Sequence, residues 1–285
     1  MSKVAIVTDS TAYLPANLLR GLDIHSVPLQ VIWGEQTFRD GIDIEPDEFY
    51  IRLKDAKVMP STSQPSPAAF KQIYSDLLER GYDILSVHIS SRLSGTCDSA
   101  IQAQSAFPGK RIHIIDSLQT SLAMGFPILK AARAAAQGAT LEDCEVMVRE
   151  DLKQCGVLFL LSTLEFLRRG GRIGGAAAFL GTALGLKPIL DLRDGRVEAM
   201  ERVRTMAKAT DRLLEIFEER VGSRSPISFG ILHANAESEA QAVLNRARER
   251  FSVDRVQDAV IAPVSPVIGT HTGPGCLGIA YMVGM

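Results

Sequence analysis

Short apolar runs alternate with longer stretches of helical periodicity along the whole chain. Residues 4–7, 84–89 and 113–115 are compact apolar runs of strand length. After and between them, Phe70, Ile73, Tyr74, Leu77 and Leu78 recur at the spacing of one helix face, and Gly81 ends the pattern. Residues 46–56, 94–107, 120–137 and 141–154 read as further helices. Strand and helix in strict alternation predict a parallel sheet with helices on both faces, because parallel strands need crossovers and those crossovers lie over the sheet. Smaller features fit between: a short helix over 15–22 with proline near its start, an extended stretch over 25–33, a turn at 34–36, and irregular backbone over 59–65, where two prolines and several hydroxyls exclude helix interior.

The pattern shifts near Gly156. Residues 157–161 form a strand, followed by a helix and the glycine-dense stretch 170–185. Residues 187–204 read as a hairpin turning at Asp194-Gly195. A helix over 206–221 aligns Leu213, Leu214, Phe217 and Val221; Ala240, Val243, Leu244, Ala247 and Phe251 mark another, and 228–233, 256–262 and 277–283 are strands. The chain of 285 residues is therefore expected to be an α/β protein of two domains. Residues 1–155 would form a Rossmann-like domain around the parallel sheet, and 156–285 an α/β domain with a mixed sheet, unless the chain returns to the first.

Composition narrows the function. A formal net charge of −2 gives no basic excess for nucleic acid. Cys97, Cys144, Cys155 and Cys276 make no C-x-x-C pair, and none of the five histidines pairs with another His or Cys at metal-ligand spacing. The first nine residues run straight into a strand without a signal peptide's apolar stretch, which predicts a cytoplasmic protein with free thiols. The least polar stretch, 173–186, falls short of the roughly 20 residues that span a bilayer.

Gly273-Pro274-Gly275-Cys276-Leu277-Gly278 matches G-x-G-x-x-G, but only seven residues follow and they read as a strand, so a dinucleotide site is rejected. No P-loop and no nucleophile elbow occur. His25, His88, His113 and His233 read as structural, whereas His271 lies among glycines, where a ligand-facing role and a plain turn are equally open. Ser94 and Gly95 follow a strand and open a helix: the serine either caps that helix or helps hold an anion at its N-terminus. Thr62 sits in the hydroxyl-rich loop, where a surface turn is the simpler reading. Arg168, Arg169 and Arg172 either face an anion or form the charged end of a helix.

Taken together, these segments resemble the DegV family. The resemblance is carried by Thr8-Asp9-Ser10-Thr11 with Leu14-Pro15, Thr62-Ser63-Gln64-Pro65, Ile89-Ser90-Ser91 with Leu93-Ser94-Gly95-Thr96, Asp116-Ser117, Thr163-Leu164-Glu165 with Arg169-Gly170-Gly171-Arg172-Ile173-Gly174, Lys187-Pro188-Ile189-Leu190, and Pro266-Val267-Ile268-Gly269 with His271-Thr272-Gly273-Pro274-Gly275. The resemblance implies two α/β domains with a long-chain fatty acid, such as palmitate, between them. It implies no metal, no cofactor besides the lipid and no catalysis by the chain itself. Some family members are the carrier subunits (FakB) of bacterial fatty acid kinase. They present the bound carboxylate to a separate Dak-type kinase subunit, which makes an acyl phosphate for phospholipid synthesis.

Carried onto this chain, the resemblance implies a carboxylate held by Thr62, Ser94, Gly95, His271 and Thr272, with Arg172 nearby, and a kinase contact at Arg204 or Arg202. The apolar stretch holding Ile173, Phe179, Leu180 and Leu184 is the expected tunnel wall, and transient contact with a membrane surface fits a lipid carrier. Ser162, Cys97 and Cys276 depart from the family pattern, where many members have Asp, Tyr and Ala. Two other readings are a stand-alone enzyme, either a hydrolase using Ser94 with His271 or a phosphotransferase, and a lipid-sensing regulator.

Overall fold

The computed structural model describes residues 3–181 and 185–284. The first part of the chain runs β1 (Lys3–Asp9), β2 (Ile24–Val27), β3 (Gln30–Trp33), β4 (Gln36–Arg39), α1 (Pro46–Lys54), β5 (Ser61–Ser63), α2 (Pro67–Glu79), β6 (Tyr82–His88), α3 (Thr96–Gln104), β7 (Ile112–Asp116), α4 (Ser121–Ala136) and α5 (Leu141–Leu152). Strands β2-β1-β6-β7 form one sheet, parallel throughout. Its strands are apolar on both faces because both are covered. Ala5, Val7 and Ile84 pack with Phe70, Tyr74 and Leu77 of α2 and Ala100 of α3. Val4, Ile6, Leu85 and Val87 pack with Met124 and Ile128 of α4 and Cys144 and Val148 of α5.

The second part runs β8 (Cys155–Leu160), α6 (Glu165–Arg169), β9 (Lys187–Arg193), β10 (Arg196–Val203), α7 (Met206–Val221), β11 (Ile227–His233), α8 (Glu237–Arg248), β12 (Val256–Pro263), α9 (Pro266–Thr272) and β13 (Leu277–Val283). Six strands in the order β10-β9-β8-β13-β11-β12 make a mixed sheet in which β11 and β12 are parallel and the other pairs antiparallel. Helices α7 and α8 cover one face. There the Phe217 ring lies 5.3 Å from those of Phe229 and Phe251 and 5.6 Å from Tyr281. The opposite face, with Val157, Phe159, Leu190, Leu192 and Leu232, turns toward α4 and the cavity described below. Helix α4 is buried almost all round. Leu122, Phe126 and Leu129 join the core of the mixed sheet, while Met124, Ile128 and Ala131 join that of the parallel one.

The β9–β10 hairpin turns at Asp194 and Gly195, with φ of 49° and 77°; a two-residue turn with both centres left-handed matches the twist of the strands it joins. Three segments differ from the sequence expectation. Residues 25–33 are two strands, because the chain leaves the parallel sheet at Pro28 to enter a separate antiparallel sheet, β4-β3-β5. Residues 61–63 are not loop but that sheet's edge strand β5, with Thr62 opposite Val31. Of the helix expected over 15–22, only a single 3₁₀ turn forms, at Ala16–Leu18.

Candidate ligand-binding site

A cavity enclosing about 910 Å³ of space between atoms, part of it open to solvent, lies against the mixed sheet. Its wall is apolar over most of its extent: Val157 and Phe159 from β8, Leu192 from β9, Val197 from β10, Leu232 from β11 and Val264 after β12. Polar groups come from widely separated segments: Thr62 of β5, Ser94 before α3, Arg172 after α6, and His271 and Thr272 at the end of α9.

Each polar group is set by its local structure. Pro266 at the first turn and Ser265, whose hydroxyl accepts from the Ile268 N–H, start α9, so His271 lies in the last turn of a helix and not in a loop. Gly269 lets α9 approach α1 closely: a Cβ there would stand 2.4 Å from the Tyr50 hydroxyl. The His271 Nε2 lies 2.8 Å from Thr62 Oγ1. Its Nδ1 is shut off from solvent without a hydrogen-bond partner and rests against Gly170. A bare lone pair is less costly to bury than a bare N–H, so the favoured tautomer carries its proton on Nε2 and donates it to Thr62. The threonine hydroxyl proton is then free to point into the cavity.

Arg172 Nε donates to the Leu93 carbonyl at 2.9 Å and Nη1 to the Gly170 carbonyl at 2.7 Å. Among the described residues no carboxylate pairs with this half-buried guanidinium. Arg168 and Arg169 differ, because both are paired with Glu165 on their own helix and belong to its charged end. Burial and the neighbouring Arg172 charge hold the His271 imidazole down at about 4.

This depressed value sets a pH dependence. The unfolded chain takes up a proton at His271 near pH 6.5 and the folded chain only near 4, so folded stability falls as pH drops through that window. Between pH 7 and 4.5 the ligand-free protein is expected to lose roughly 2 kcal/mol more stability than His271→Gln, as read by denaturant unfolding at each pH. Equal losses in the two proteins would remove His271 as the source.

Several expected positions shift. Helix α3 starts at Thr96 with Gly95 at its cap position, and Ser94 does not cap it; the Ser94 hydroxyl lies 2.9 Å from Thr96 Oγ1. Gly95 does not line the cavity, but the Gln64 side chain lies against it, 2.7 Å from where a Cβ would stand. Ile173, Phe179 and Leu180 are not in the cavity wall. Ile173 and Phe179 pack against the same core, Leu180 is exposed, and the buried residue of the 3₁₀ segment Gly174–Phe179 is Ala176. Leu184 lies outside the described residues. Arg202 and Arg204 are both exposed; the Arg202 guanidinium stacks 4.7 Å from the Phe179 ring, and Arg204 lies just beyond β10. Cys276 lines the cavity with its thiol pushed up to about 12 by burial, and Cys97 is buried with its thiol toward the Ile89 carbonyl.

The sequence reading missed Thr120 and Ser121, which line the cavity where the N-terminus of α4 meets it; the Thr120 hydroxyl is buried and unpartnered. The clue available was their place between β7 and a helix, the same strand-to-helix junction that singles out Ser94.

The model of the family described as "Uncharacterised protein, DegV family" matches residues 3–283. Among solved structures, the chain is similar to a DegV family protein from Thermus thermophilus described with fatty acid binding (38% identity, TM-score 0.91, 99% of each chain). It is also similar to DegV of Bacillus subtilis, described as a fatty acid binding protein (35% identity, TM-score 0.89, 99% of this chain and 100% of that one). A third is a stearic acid-binding protein from Eubacterium ventriosum (26% identity, TM-score 0.90, 99% of this chain and 98% of that one). With all three sheets inside the matched span, the chain belongs to the DegV family.

Proposed function

We propose that this protein binds a long-chain fatty acid in the cavity and presents its carboxylate to a separate kinase subunit. The observation that carries the reading is the pairing of an apolar slot with one polar end where an uncompensated guanidinium, an imidazole and several hydroxyls converge. A buried carboxylate needs several donors, which Thr62, Ser94 and Arg172 supply, with His271 orienting Thr62, while the Thr272 hydroxyl already donates to the Ile268 carbonyl. The tail contributes about 0.8 kcal/mol per buried methylene and dominates affinity. The fatty acids named for its structural relatives support the same ligand class.

The hydrolase reading is disfavoured by the pairing of the candidate groups. The Ser94 hydroxyl meets Thr96 and His271 meets Thr62, so no serine–imidazole relay is assembled. For the partner contact, Arg204 is the better candidate, because Arg202 is engaged with Phe179. The acyl phosphate made by the kinase would then feed phospholipid synthesis.

Mass spectrometry of lipid extracted from the purified protein is expected to find a long-chain fatty acid, and a lipid-free protein with no affinity for added palmitate would sink the proposal. Ser94→Ala is expected to weaken binding by about 10–100-fold, one lost hydrogen bond to a charged group. Arg204→Ala is expected to bind palmitate normally but to slow acyl-phosphate formation when ATP and a candidate kinase are added. Phosphorylation at the wild-type rate would move the partner contact elsewhere.

A further inference from the structure

The segment Asp9-Ser10-Thr11 at the end of β1 lines no part of the cavity, yet all three residues are buried, with Asp9 and Thr11 wholly so. Its hydrogen bonds run to both halves of the polar end. Asp9 Oδ1 accepts from the Thr11 N–H and hydroxyl, and Oδ2 accepts from the Ile89 N–H at 2.9 Å and lies 3.2 Å from His88 Nδ1. His88 in turn meets Ser86, and Ser86 meets Tyr74, each at 2.7 Å. Asp9 thus fixes the point where the chain leaves β6 for Ser94.

Ser10 serves the other half. Its hydroxyl donates to Asp40 Oδ2 at 2.7 Å and accepts from the N–H of Leu29, a cavity residue, at 3.0 Å. Asp40 is 1% exposed, and its Oδ1 accepts from the Val267 N–H in the first turn of α9, the helix that ends in His271 and Thr272. Among the described residues no hydrogen bond joins the 89–95 loop to α9 directly. The connection runs through adjacent residues of β1's end.

We propose that Asp9 and Ser10, acting through Asp40, are positioning residues that hold the Ser94 loop and the His271 helix in register around one head group. The inference rests on the fatty-acid reading for its ligand. Its geometric part does not, because the relation of Ser10 to the His271 ring exists without any lipid. Removing the Ser10 hydroxyl takes one hydrogen bond from Asp40 and strands the Leu29 N–H, so the carboxylate that holds the start of α9 through the Val267 N–H is no longer braced from the end of β1.

The test compares palmitic acid with methyl palmitate, which share a tail and differ in the charged head. In Ser10→Ala, affinity for the acid is expected to fall about 10-fold, the scale of one lost hydrogen bond to a charged group, with the ester within about twofold of wild type. The His271 ring ¹⁵N resonances of the ligand-free protein are expected to shift as the Thr62 contact loosens. A purely structural role would weaken acid and ester alike, and that result, or unmoved His271 resonances, would overturn the proposal. Asp40→Asn, equal in size, is expected to give the same acid-selective loss and decides the matter if Ser10→Ala does not fold. Should wild-type protein bind neither compound, the fatty-acid reading falls, and the ¹⁵N resonances alone decide whether Ser10 positions His271.

Discussion

Gly170→Ala is expected to give a folded protein that has lost most of its fatty-acid affinity. The backbone at Gly170, with φ of −74° and ψ of −6°, suits any residue, so no strain arises there. The obstacle is space: an added Cβ would stand 2.0 Å from His271 Nδ1 and 2.7 Å from its Cε1. On the far side the ring is already engaged with Thr62, so it must rotate or carry α9 with it. Overpacking of this kind costs about 1–3 kcal/mol of stability, a drop in Tm of several degrees, and the displaced His271 predicts a loss of binding on the order of 10-fold or more. Thermal unfolding reads the first and titration calorimetry with palmitate the second. A folded variant with wild-type affinity would show that His271 plays no part in holding the head group.

Phe217→Ala is expected to have the largest effect on stability. Its ring packs against Phe229, Phe251 and Tyr281 in the core between α7 and the mixed sheet, and it is fully buried. Deleting a buried phenyl ring costs about 3–5 kcal/mol, a large part of the stability of an ordinary domain. The shift should appear in the urea midpoint. Because this core lies on the face of the sheet opposite the cavity, the surviving folded fraction should bind palmitate normally. A loss below about 1 kcal/mol would mean that the surrounding rings close over the gap.

Most of the architecture was legible from periodicity alone, since strands buried on both sides and amphipathic helices leave strong local patterns. What escaped depended on distant partners. Ser61–Ser63 is short and polar, and it becomes a strand only because Val31 and its neighbours lie beside it. His271 was read among glycines as a possible turn, although Ser265 and Pro266 carry the start signal of α9. Among the described residues, the least polar stretch of the chain, 173–186, does not supply the apolar wall. That wall is built instead by alternate residues of β8 to β11, whose shared face is set by strand pairing and not by local composition. The polar residues were found through the family resemblance, with the strand-end position of Ser94 as their main local support.

The double burial of α4 bears on how a lipid could come and go. Prising the two sheets apart would return Leu122, Phe126 and Leu129, or Met124 and Ile128, to water at roughly 1.5–3 kcal/mol each. A clam-like opening is therefore costly, and exchange of a bound acyl chain would have to proceed with both sheets still joined through α4.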